Sequence, residues 1–200
     1  MGRESPKDPK GFGKPLGSGS VFYLVRHAHA GWTPDENRPL SGRGRADAER
    51  VADVLGGFPI AAIYSSPARR AWETFAPLAA RLGLPIHVVP DLREHKLCDG
   101  AVDDFFAAVR ATWADPSLAH PGGEPNAAAQ RRGVAAVQRL MERHPTDHVV
   151  LGTHGNLLAL VLQHFDAGVD FAFWRSLTMP DVYALRVGVD GDVSVRRVWE

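Results

Sequence analysis

Val21-Phe22-Tyr23-Leu24-Val25-Arg26-His27-Ala28-His29 is the most informative stretch of the sequence. Its first five residues form an unbroken apolar run, rich in β-branched and aromatic types, which predicts a buried β-strand. The run ends abruptly in a cation and an imidazole. In open α/β sheets, ligands bind beyond the carboxyl ends of the strands, so this position indicates a site as well as a strand. A basic loop after a core strand would leave the same pattern, and the stretch alone does not separate the two interpretations.

The composition is that of an ordinary soluble domain. The chain has 200 residues, of which 44% are hydrophobic and 23% charged, so one domain can bury a sizeable core. Lys and Arg together number 23, as do Asp and Glu, and no overall field favours nucleic acid or an acidic membrane surface. An anion site must therefore arise from local clustering of cations.

Cysteine content and hydropathy indicate the compartment. The single cysteine, Cys98, excludes an internal disulfide and any multi-cysteine metal site. No stretch approaches the ~18 consecutive apolar residues of a membrane span, and the N-terminus lacks the apolar core of a signal peptide. We expect a cytoplasmic protein without a membrane partner.

The first 20 residues differ in composition from the rest of the chain. They are rich in Gly, Pro, Ser and Lys and contain almost no apolar side chain. Such a segment cannot bury enough apolar surface to offset the entropy lost on ordering. We expect a flexible leader over residues 1–20 and a single domain over residues 21–200, without internal repeats.

Beyond the first strand, predicted helices and strands alternate. Further strands are predicted at residues 60–64, 86–89, 148–151, 182–187 and 193–199. Helices are predicted from a cap at Ser41 to Gly56, from a cap at Ser66 to Gly83, and around residues 102–113, 134–141 and 157–162, with a surface loop over 115–126. This alternation is typical of an α/β fold, a three-layer α/β/α sandwich with a largely parallel sheet.

Four strands are followed by groups suited to phosphate chemistry: Arg26-His27, Ser66 to Arg70, Glu94, and His154-Gly155. If the strands are parallel, these groups meet at one edge of the sheet. Each arginine can present a planar fork to a phosphoryl group. The helix N-termini after Ser66 and after His154 would add oriented N–H groups. The pattern predicts a phosphate site at this edge.

Chemistry suggests roles for the ionisable groups. Two histidines in such a pocket suggest one neutral nucleophile and one donor to the transferring group. Glu94 could protonate a leaving alcohol. Other assignments stay open, because three further carboxylates could approach the pocket and a second arginine adjoins Arg70. These residues are Glu73, Asp99, Glu124 and Arg69.

The motifs that carry these groups resemble those of the histidine phosphatase superfamily, the phosphoglycerate-mutase-like proteins. The family's Arg-His-Gly signature is similar to Arg26-His27-Ala28, with alanine in place of glycine. Its Ser-Pro-x-x-Arg-Ala-x-x-Thr segment is similar to residues 66–74, its Leu-x-Glu segment to residues 92–94, and its Thr/Ser-His-Gly segment to residues 153–155. Any one of these motifs is weak, but four in the family's order are a specific signal.

The resemblance implies a phosphoglycerate-mutase-like fold and phosphoryl transfer without a metal or other cofactor. It implies that His27 is phosphorylated on its ring nitrogen and that Glu94 donates a proton. The transferring phosphoryl group would be bound by Arg26, Arg70, His154 and Gly155, with His154 also acting in catalysis. The implied substrate is a small phosphorylated molecule, in preference to a phosphoprotein.

Departures from the mutase pattern favour a phosphatase acting on phosphate monoesters. The loop Ala28 to Pro39 lacks the mutases' Thr/Ser-Gly, and His29-Ala30 replaces the residues that follow their Arg-His-Gly. Mutase-type transfer remains the alternative. A non-catalytic regulator that binds phosphorylated ligands is a third possibility, although the nucleophile, both arginines and the acid are all retained. The natural substrate, the oligomeric state and any substrate contact by His29, Arg43 or Trp174 stay open.

Overall fold

A computed structural model of the chain describes residues 19–33, 35, 37–188 and 190–200. Most of the predicted leader, residues 1–18, lies outside the described residues. Its last two residues, Gly19 and Ser20, begin the first strand and pair with Gly188 and Val187. The first strand therefore starts two residues before the boundary that composition suggests.

Within the described residues, six strands form one sheet. They are β1 (Gly19–Arg26), β2 (Ile60–Ser65), β3 (Ile86–Val88), β4 (His148–Thr153), β5 (Asp181–Gly188) and β6 (Val193–Arg197). The order across the sheet is β3-β2-β4-β1-β5-β6. The strands β3, β2, β4 and β1 are parallel, whereas β5 and β6 are antiparallel to their neighbours. The prediction of a largely parallel sheet is confirmed.

Helices cover both faces of the sheet. They are α1 (Gly42–Leu55), α2 (Arg69–Leu82), α3 (Phe105–Ala114), α4 (Asn126–Arg143), α5 (Gly155–Phe165) and α6 (Phe171–Ser176). Phe22 and Leu24 of β1 pack in one apolar core with α4 and α5. Tyr23 and Val25 pack in a second core with α1 and α2. Because β1 is covered on both faces, its residues 21–25 are all apolar rather than apolar at alternate positions. No described helix has both the length and the apolar character to cross a membrane.

Helix boundaries agree with the sequence only in part. Ser41 caps α1 as predicted, since its Oγ accepts from the backbone N–H of Gly44 at 3.0 Å. The predicted cap at Ser66 is wrong, because the Oγ of Ser66 is bonded to His154 and α2 begins at Arg69. α4 begins at Asn126, well before the predicted start, in an alanine-rich turn that has helix propensity but no apolar periodicity. α6 was not predicted.

The four groups that follow the strands lie at the carboxyl edge of the parallel strands. Main-chain bonds join two of these strand ends to β4, from His27 N–H to the Thr153 carbonyl and from Ser66 N–H to the Gly152 carbonyl. The segment before Glu94 is joined to the same edge, since the hydroxyl of Thr153 donates to the carbonyl of Leu92 at 2.9 Å. The fold thus places the predicted site residues together.

β4 and α2 approach closely at Gly152. A Cβ at this position would lie 2.2 Å from the Cε2 of Phe75, a fully buried side chain of α2. The glycine therefore lets the aromatic ring lie directly on the strand, beside the carbonyl that anchors Ser66.

We expect Gly152→Ala to lower the free energy of unfolding by about 1–3 kcal/mol, because overpacking forces the ring or the strand to move. Urea denaturation of the purified protein measures this. Gly57→Ala is the matched control, since the nearest atom to its added Cβ is 3.9 Å away. Phe75→Leu combined with Gly152→Ala should cost less than the sum of the single changes. Equal costs for Gly152→Ala and Gly57→Ala would refute the close contact.

Candidate active site

His27 directly follows β1, and its partners define one tautomer. Its Nδ1 lies 2.8 Å from the carbonyl oxygen of Ala28, which can only accept, so Nδ1 carries the hydrogen. Its Nε2 lies 3.2 Å from the Nε of Arg70, which can only donate. Nε2 therefore presents its lone pair to a cation, which leaves it available as a nucleophile.

Both histidines of the site are neutral at pH 7. His27 is 6% exposed and His154 is 1% exposed. The pKa of His27 is lowered to about 3, chiefly by burial and also by the charges of nearby arginines, while the bond to the carbonyl of Ala28 opposes the shift. Burial and the positive charges around it likewise hold the pKa of His154 well below its usual value. Neutral imidazoles can accept hydrogen bonds, which charged ones cannot.

Arg70 connects the two histidines. Besides its bond to His27, its Nη2 lies 3.3 Å from the Nδ1 of His154. That nitrogen accepts, so the Nε2 of His154 carries the hydrogen and donates to the Oγ of Ser66 at 2.7 Å. The two imidazole rings meet edge to face, with their centroids 5.1 Å apart. The result is a buried, hydrogen-bonded group that carries one permanent positive charge.

Thr74 fixes the main chain beside His27. Its Oγ1 accepts from the N–H of Ala28 at 3.0 Å and donates to the carbonyl of Arg70 at 2.7 Å. The methyl group of Ala28 is buried against Leu40 and Ala48. An alanine is therefore accommodated where the resembled signature has glycine, and the carbonyl that orients His27 is held in place.

Arg26 ends β1 with its guanidinium anchored on one side. Its Nη1 donates to the carbonyls of Leu177 at 2.9 Å and of Thr178 at 3.2 Å. Its Nε and Cζ lie against Gly155, where a Cβ would approach both to 3.1 Å. The Nε is buried and has no hydrogen-bond partner among the described residues. Burial lowers the pKa of Arg26, and the nearby charge of Glu94 opposes this shift.

An ion pair between the buried Asp181 and the exposed Arg197 holds the turn that anchors Arg26. Asp181 is fully buried and accepts from the N–H of Thr178 at 2.9 Å. Its carboxylate also accepts from the Nε and Nη2 of Arg197, at 2.8 and 3.2 Å. The same Nη2 donates to the hydroxyl of Thr178 at 3.0 Å. The last strand, β6, thereby helps to position a residue of the first.

Glu94 binds the first turn of α5. Its Oε1 accepts from the backbone N–H groups of His95 at 2.8 Å and of Leu157 at 3.0 Å, and its Oε2 accepts from that of Asn156 at 3.2 Å. A carboxylate at a helix N-terminus is also stabilised by the helix dipole. The expectation that these N–H groups of α5 bind phosphate is therefore wrong for two of them. Oε2 accepts one hydrogen bond whereas Oε1 accepts two, so Oε2 is the oxygen with a lone pair left to bind a proton.

The other candidate carboxylates are each paired with a cation: Glu73 with Arg69, Glu124 with Arg132 and Asp99 with Lys96, at 2.6, 2.7 and 2.6 Å. Burial alone would raise the pKa of Glu124, but the hydrogen bonds and charge of Arg132 outweigh this and hold it below the usual value. Of these acids, only Glu94 lines the cleft described next.

A cleft of about 620 Å³ adjoins the histidine and arginine group. Its walls come from residues 37–38, 66–68 and 93–98, together with Arg70 and His154. Clefts of this size hold small molecules. Among the described residues, no group of three or more His, Cys, Asp or Glu side chains is placed to hold a metal ion.

The structure brings together the residues that the sequence singled out: Arg26, His27, Arg70, Glu94, His154 and Gly155. Arg70, the arginine that the motif spacing indicated, faces the histidines. Arg69 is paired with Glu73 instead. Sequence reasoning missed the positioning residues. Thr74 lies inside a quoted motif, but Asp181 had no signal, since its role depends on the pairing of β5 with β1.

Three residues whose contacts the sequence left open lie away from the cleft walls. The Nδ1 of His29 is bonded to the Oγ of Ser41 at 2.8 Å. The side chain of Arg43 is 74% exposed and lies 3.6 Å from Asp47. Trp174 stacks on other aromatic rings, including that of Phe171. None of the three is among the described residues that line the cleft.

The family model of the histidine phosphatase superfamily, branch 1, matches residues 22–199. The chain belongs to this superfamily, and the resemblance seen in its motifs is confirmed.

The relatives include phosphatases. The glucosyl-3-phosphoglycerate phosphatase of Mycobacterium tuberculosis is 34% identical over 135 residues, which are 60% of this chain and 60% of that protein. An uncharacterised protein of the same organism is 35% identical over 128 residues, 58% of this chain and 60% of its own. This chain therefore spans less than two thirds of the length of these two relatives. The solved structure of the mycobacterial glucosyl-3-phosphoglycerate phosphatase in complex with VO3 superposes with a TM-score of 0.73 at 27% identity, covering 90% of this chain and 98% of that one.

We expect the imidazole of His27 to remain neutral until the pH falls to about 3, whereas an unperturbed histidine is protonated near pH 6.5. A pH titration of 15N-histidine-labelled protein by NMR measures this and reports the Nδ1–H tautomer. Because the unfolded chain takes up this proton near pH 6.5, the free energy of unfolding should fall as the pH drops from there toward 3.

Arg70→Met should raise the pKa of His27, since a nearby positive charge is removed. Arg43→Met, which removes an exposed arginine on α1, should leave the titration unchanged. A His27 midpoint near 6.5 in the wild-type protein would show that burial does not control its charge.

Proposed function

We propose that the protein is a phosphatase that hydrolyses phosphate monoesters through a phosphohistidine on His27, without a metal ion. The observation that carries this proposal is the lone pair of the His27 Nε2, which faces a buried guanidinium while the opposite ring nitrogen is held as a donor. A neutral nucleophile beside fixed positive charge is what attack on a dianionic phosphoryl group requires.

Substrate binding exchanges one partner of Arg70. In the free protein, Arg70 donates to the nitrogen that must attack phosphorus. A phosphoryl group in front of His27 takes over this donor, and the buried Nε of Arg26 supplies a second one. With its Nε2–H held by Ser66, His154 can donate to the phosphoryl group only from Nδ1. A bound dianion favours protonation of that nitrogen.

In the first step, the Nε2 of His27 attacks phosphorus and the bond to the ester oxygen breaks. The departing oxygen takes a proton from Oε2 of Glu94, which becomes a carboxylate, and the alcohol leaves. The ring gains positive charge as the P–N bond forms, and the Nδ1–H bond to the carbonyl of Ala28 stabilises this charge.

In the second step, the Glu94 carboxylate takes a proton from a water molecule whose oxygen attacks phosphorus. The P–N bond breaks, its electron pair returns to the Nε2 of His27, and inorganic phosphate forms. Glu94 is protonated again, so the cycle balances. Three backbone N–H groups hold this carboxylate in one place through both steps.

The size of the cleft supports a small phosphorylated substrate over a phosphoprotein. The single cysteine supports a reducing, cytoplasmic location. Hydrolysis is favoured over mutase-type transfer because the loop Ala28 to Pro39 lacks the mutase segments. The phosphatase named among the relatives supports the same choice.

Brief incubation with a 32P-labelled phosphate ester, followed by a denaturing quench, should leave acid-labile, base-stable label on the wild-type protein. His27→Ala should carry no label and lose nearly all turnover, because the electrostatics of the pocket cannot replace a missing nucleophile. His164→Ala, which removes an exposed histidine at the far end of α5, should label like the wild type. Label retained in His27→Ala would place the nucleophile elsewhere.

Glu94→Gln should slow hydrolysis of alkyl phosphates by about 10²–10⁴-fold, the usual contribution of a general acid. On nitrophenyl phosphate the loss should be much smaller, because nitrophenolate leaves without a proton. The comparison is made on formation of the phosphohistidine itself, which the rate of the initial burst of released alcohol or nitrophenolate measures when the second step is slower.

Loss of the helix cap must be separated from loss of the acid. Glu94→Gln weakens the cap on α5 for every substrate alike, and urea denaturation measures that cost. Glu142→Gln, an exposed substitution on α4, controls for the loss of one negative charge. Equal losses on both esters would show that Glu94 serves folding or binding rather than proton transfer.

A further inference from the structure

The cleft carries more basic side chains than the phosphoryl group uses. Arg38, Arg93 and Lys96 line it in addition to Arg70. Two of these cations are already paired. Arg93 lies 3.6 Å from Glu124 and 3.8 Å from Asp91, and the Nζ of Lys96 lies 2.6 Å from Asp99.

Arg38 differs from the other two. It forms no ion pair within the part of the chain that the structure describes, and its Nε is buried without a hydrogen-bond partner. A buried donor left unbonded is costly, so this guanidinium is suited to an acceptor that arrives with the substrate.

The main chain around Arg38 is held in place. Its own N–H donates to the carbonyl of Asp35 at 3.2 Å. Two residues later, the N–H of Leu40 donates to the carboxylate of Glu73 on α2 at 2.8 Å, and Pro39 lies between. α2 also carries Arg70. The main chain two residues after Arg38 is therefore bonded to the helix that carries Arg70.

Arg38 lies within electrostatic range of the reacting centre. Its positive charge contributes to the lowered pKa of both His27 and His154. The phosphoryl group itself already has Arg26 and Arg70. An additional planar fork that lines the same cleft as Arg70 and His154 is suited to a different acceptor group on the same molecule.

We propose that Arg38 binds a second anionic group of the substrate, a carboxylate or a second phosphate, placed a few bonds from the ester that is hydrolysed. This inference rests on the proposed phosphatase function. It makes the substrate a dianionic ester with a further negative charge on its alcohol portion, in preference to the phosphate of an uncharged alcohol.

Two matched substrate pairs test the proposal. 3-Phosphoglycerate and glycerol 3-phosphate differ in a carboxylate against a hydroxymethyl group. The bisphosphate and the monophosphate of propane-1,3-diol differ in the second phosphate. The wild-type protein should have the higher kcat/KM for the charged member of one pair, and that pair identifies the second group as a carboxylate or a phosphate.

Arg38→Gln should lower kcat/KM for that charged member by about 10–100-fold, mainly through KM, the range expected from loss of a hydrogen bond between charged groups. For the other member of the pair, which lacks the second anionic group, kcat/KM should change by no more than about twofold. Arg38→Lys, which keeps the charge but not the fork, should lie between. Arg43→Gln is the matched control on the exposed surface.

Three outcomes would overturn the proposal: no preference in the wild type, no loss in Arg38→Gln, or equal losses on both members of a pair. The last would show that Arg38 contacts the transferring phosphoryl group. If no ester is hydrolysed at all, the proposed function fails, but the inference is still decided by binding. Calorimetry then compares His27→Ala with His27→Ala/Arg38→Gln. The double variant should bind the member with the second anionic group more weakly and the other member equally well, whereas equal binding of both members by the two variants would refute the inference.

Discussion

The simultaneous donation of Arg70 to His27 and His154 is the interaction on which the site depends. One guanidinium can satisfy two imidazoles only while both are neutral, and burial keeps them so. The same helix brings Thr74 one turn after Arg70, where it holds the main chain that orients His27. The beginning of α2, rather than the strand ends alone, therefore sets the distance between His27 and the guanidinium of Arg70. A shift of this helix would change the partners of both histidines at once.

Two further parts of the fold complete the arrangement from opposite directions. The antiparallel strands β5 and β6 contribute Asp181 and Arg197, which hold the turn whose carbonyls anchor Arg26. On the other side, Glu94 gains its position by capping α5, immediately after His154. Its carboxylate therefore both caps a helix and lines the cleft. This double role explains how a carboxylate on an irregular segment reaches a defined place, since loops alone do not hold side chains rigidly.

The sheet and the main site residues were predictable because they depend on local signals. An apolar run with no polar alternation predicts a strand covered on both faces, and polar groups at the ends of parallel strands share one edge. The errors came where tertiary contacts override local chemistry. Ser66 is a good helix cap by sequence, yet its hydroxyl is bonded to His154, and α2 starts at Arg69. The N–H groups at the start of α5 were expected to bind phosphate, but two of them, those of Asn156 and Leu157, bind Glu94 instead. Asp181 and Arg197 could not be found without the pairing of β1, β5 and β6.

The fold separates His27 and its partners from much of the cleft wall. His27, His154 and the two arginines beside them lie at the ends of β1 and β4 or at the start of α2, where main-chain bonds and burial leave them little freedom. Apart from Glu94 and residues 66–68, the rest of the cleft is lined by residues 37–38, 93 and 95–98, which lie outside the helices and strands. Cations at these positions are neutralised by neighbouring carboxylates to different degrees, from the paired Lys96 to the unpaired Nε of Arg38. A change in one of those carboxylates would alter which charges the cleft offers without moving His27. Substrate choice can therefore vary among proteins that keep the same reacting centre, since function lies in sites carried by the fold rather than in the fold itself.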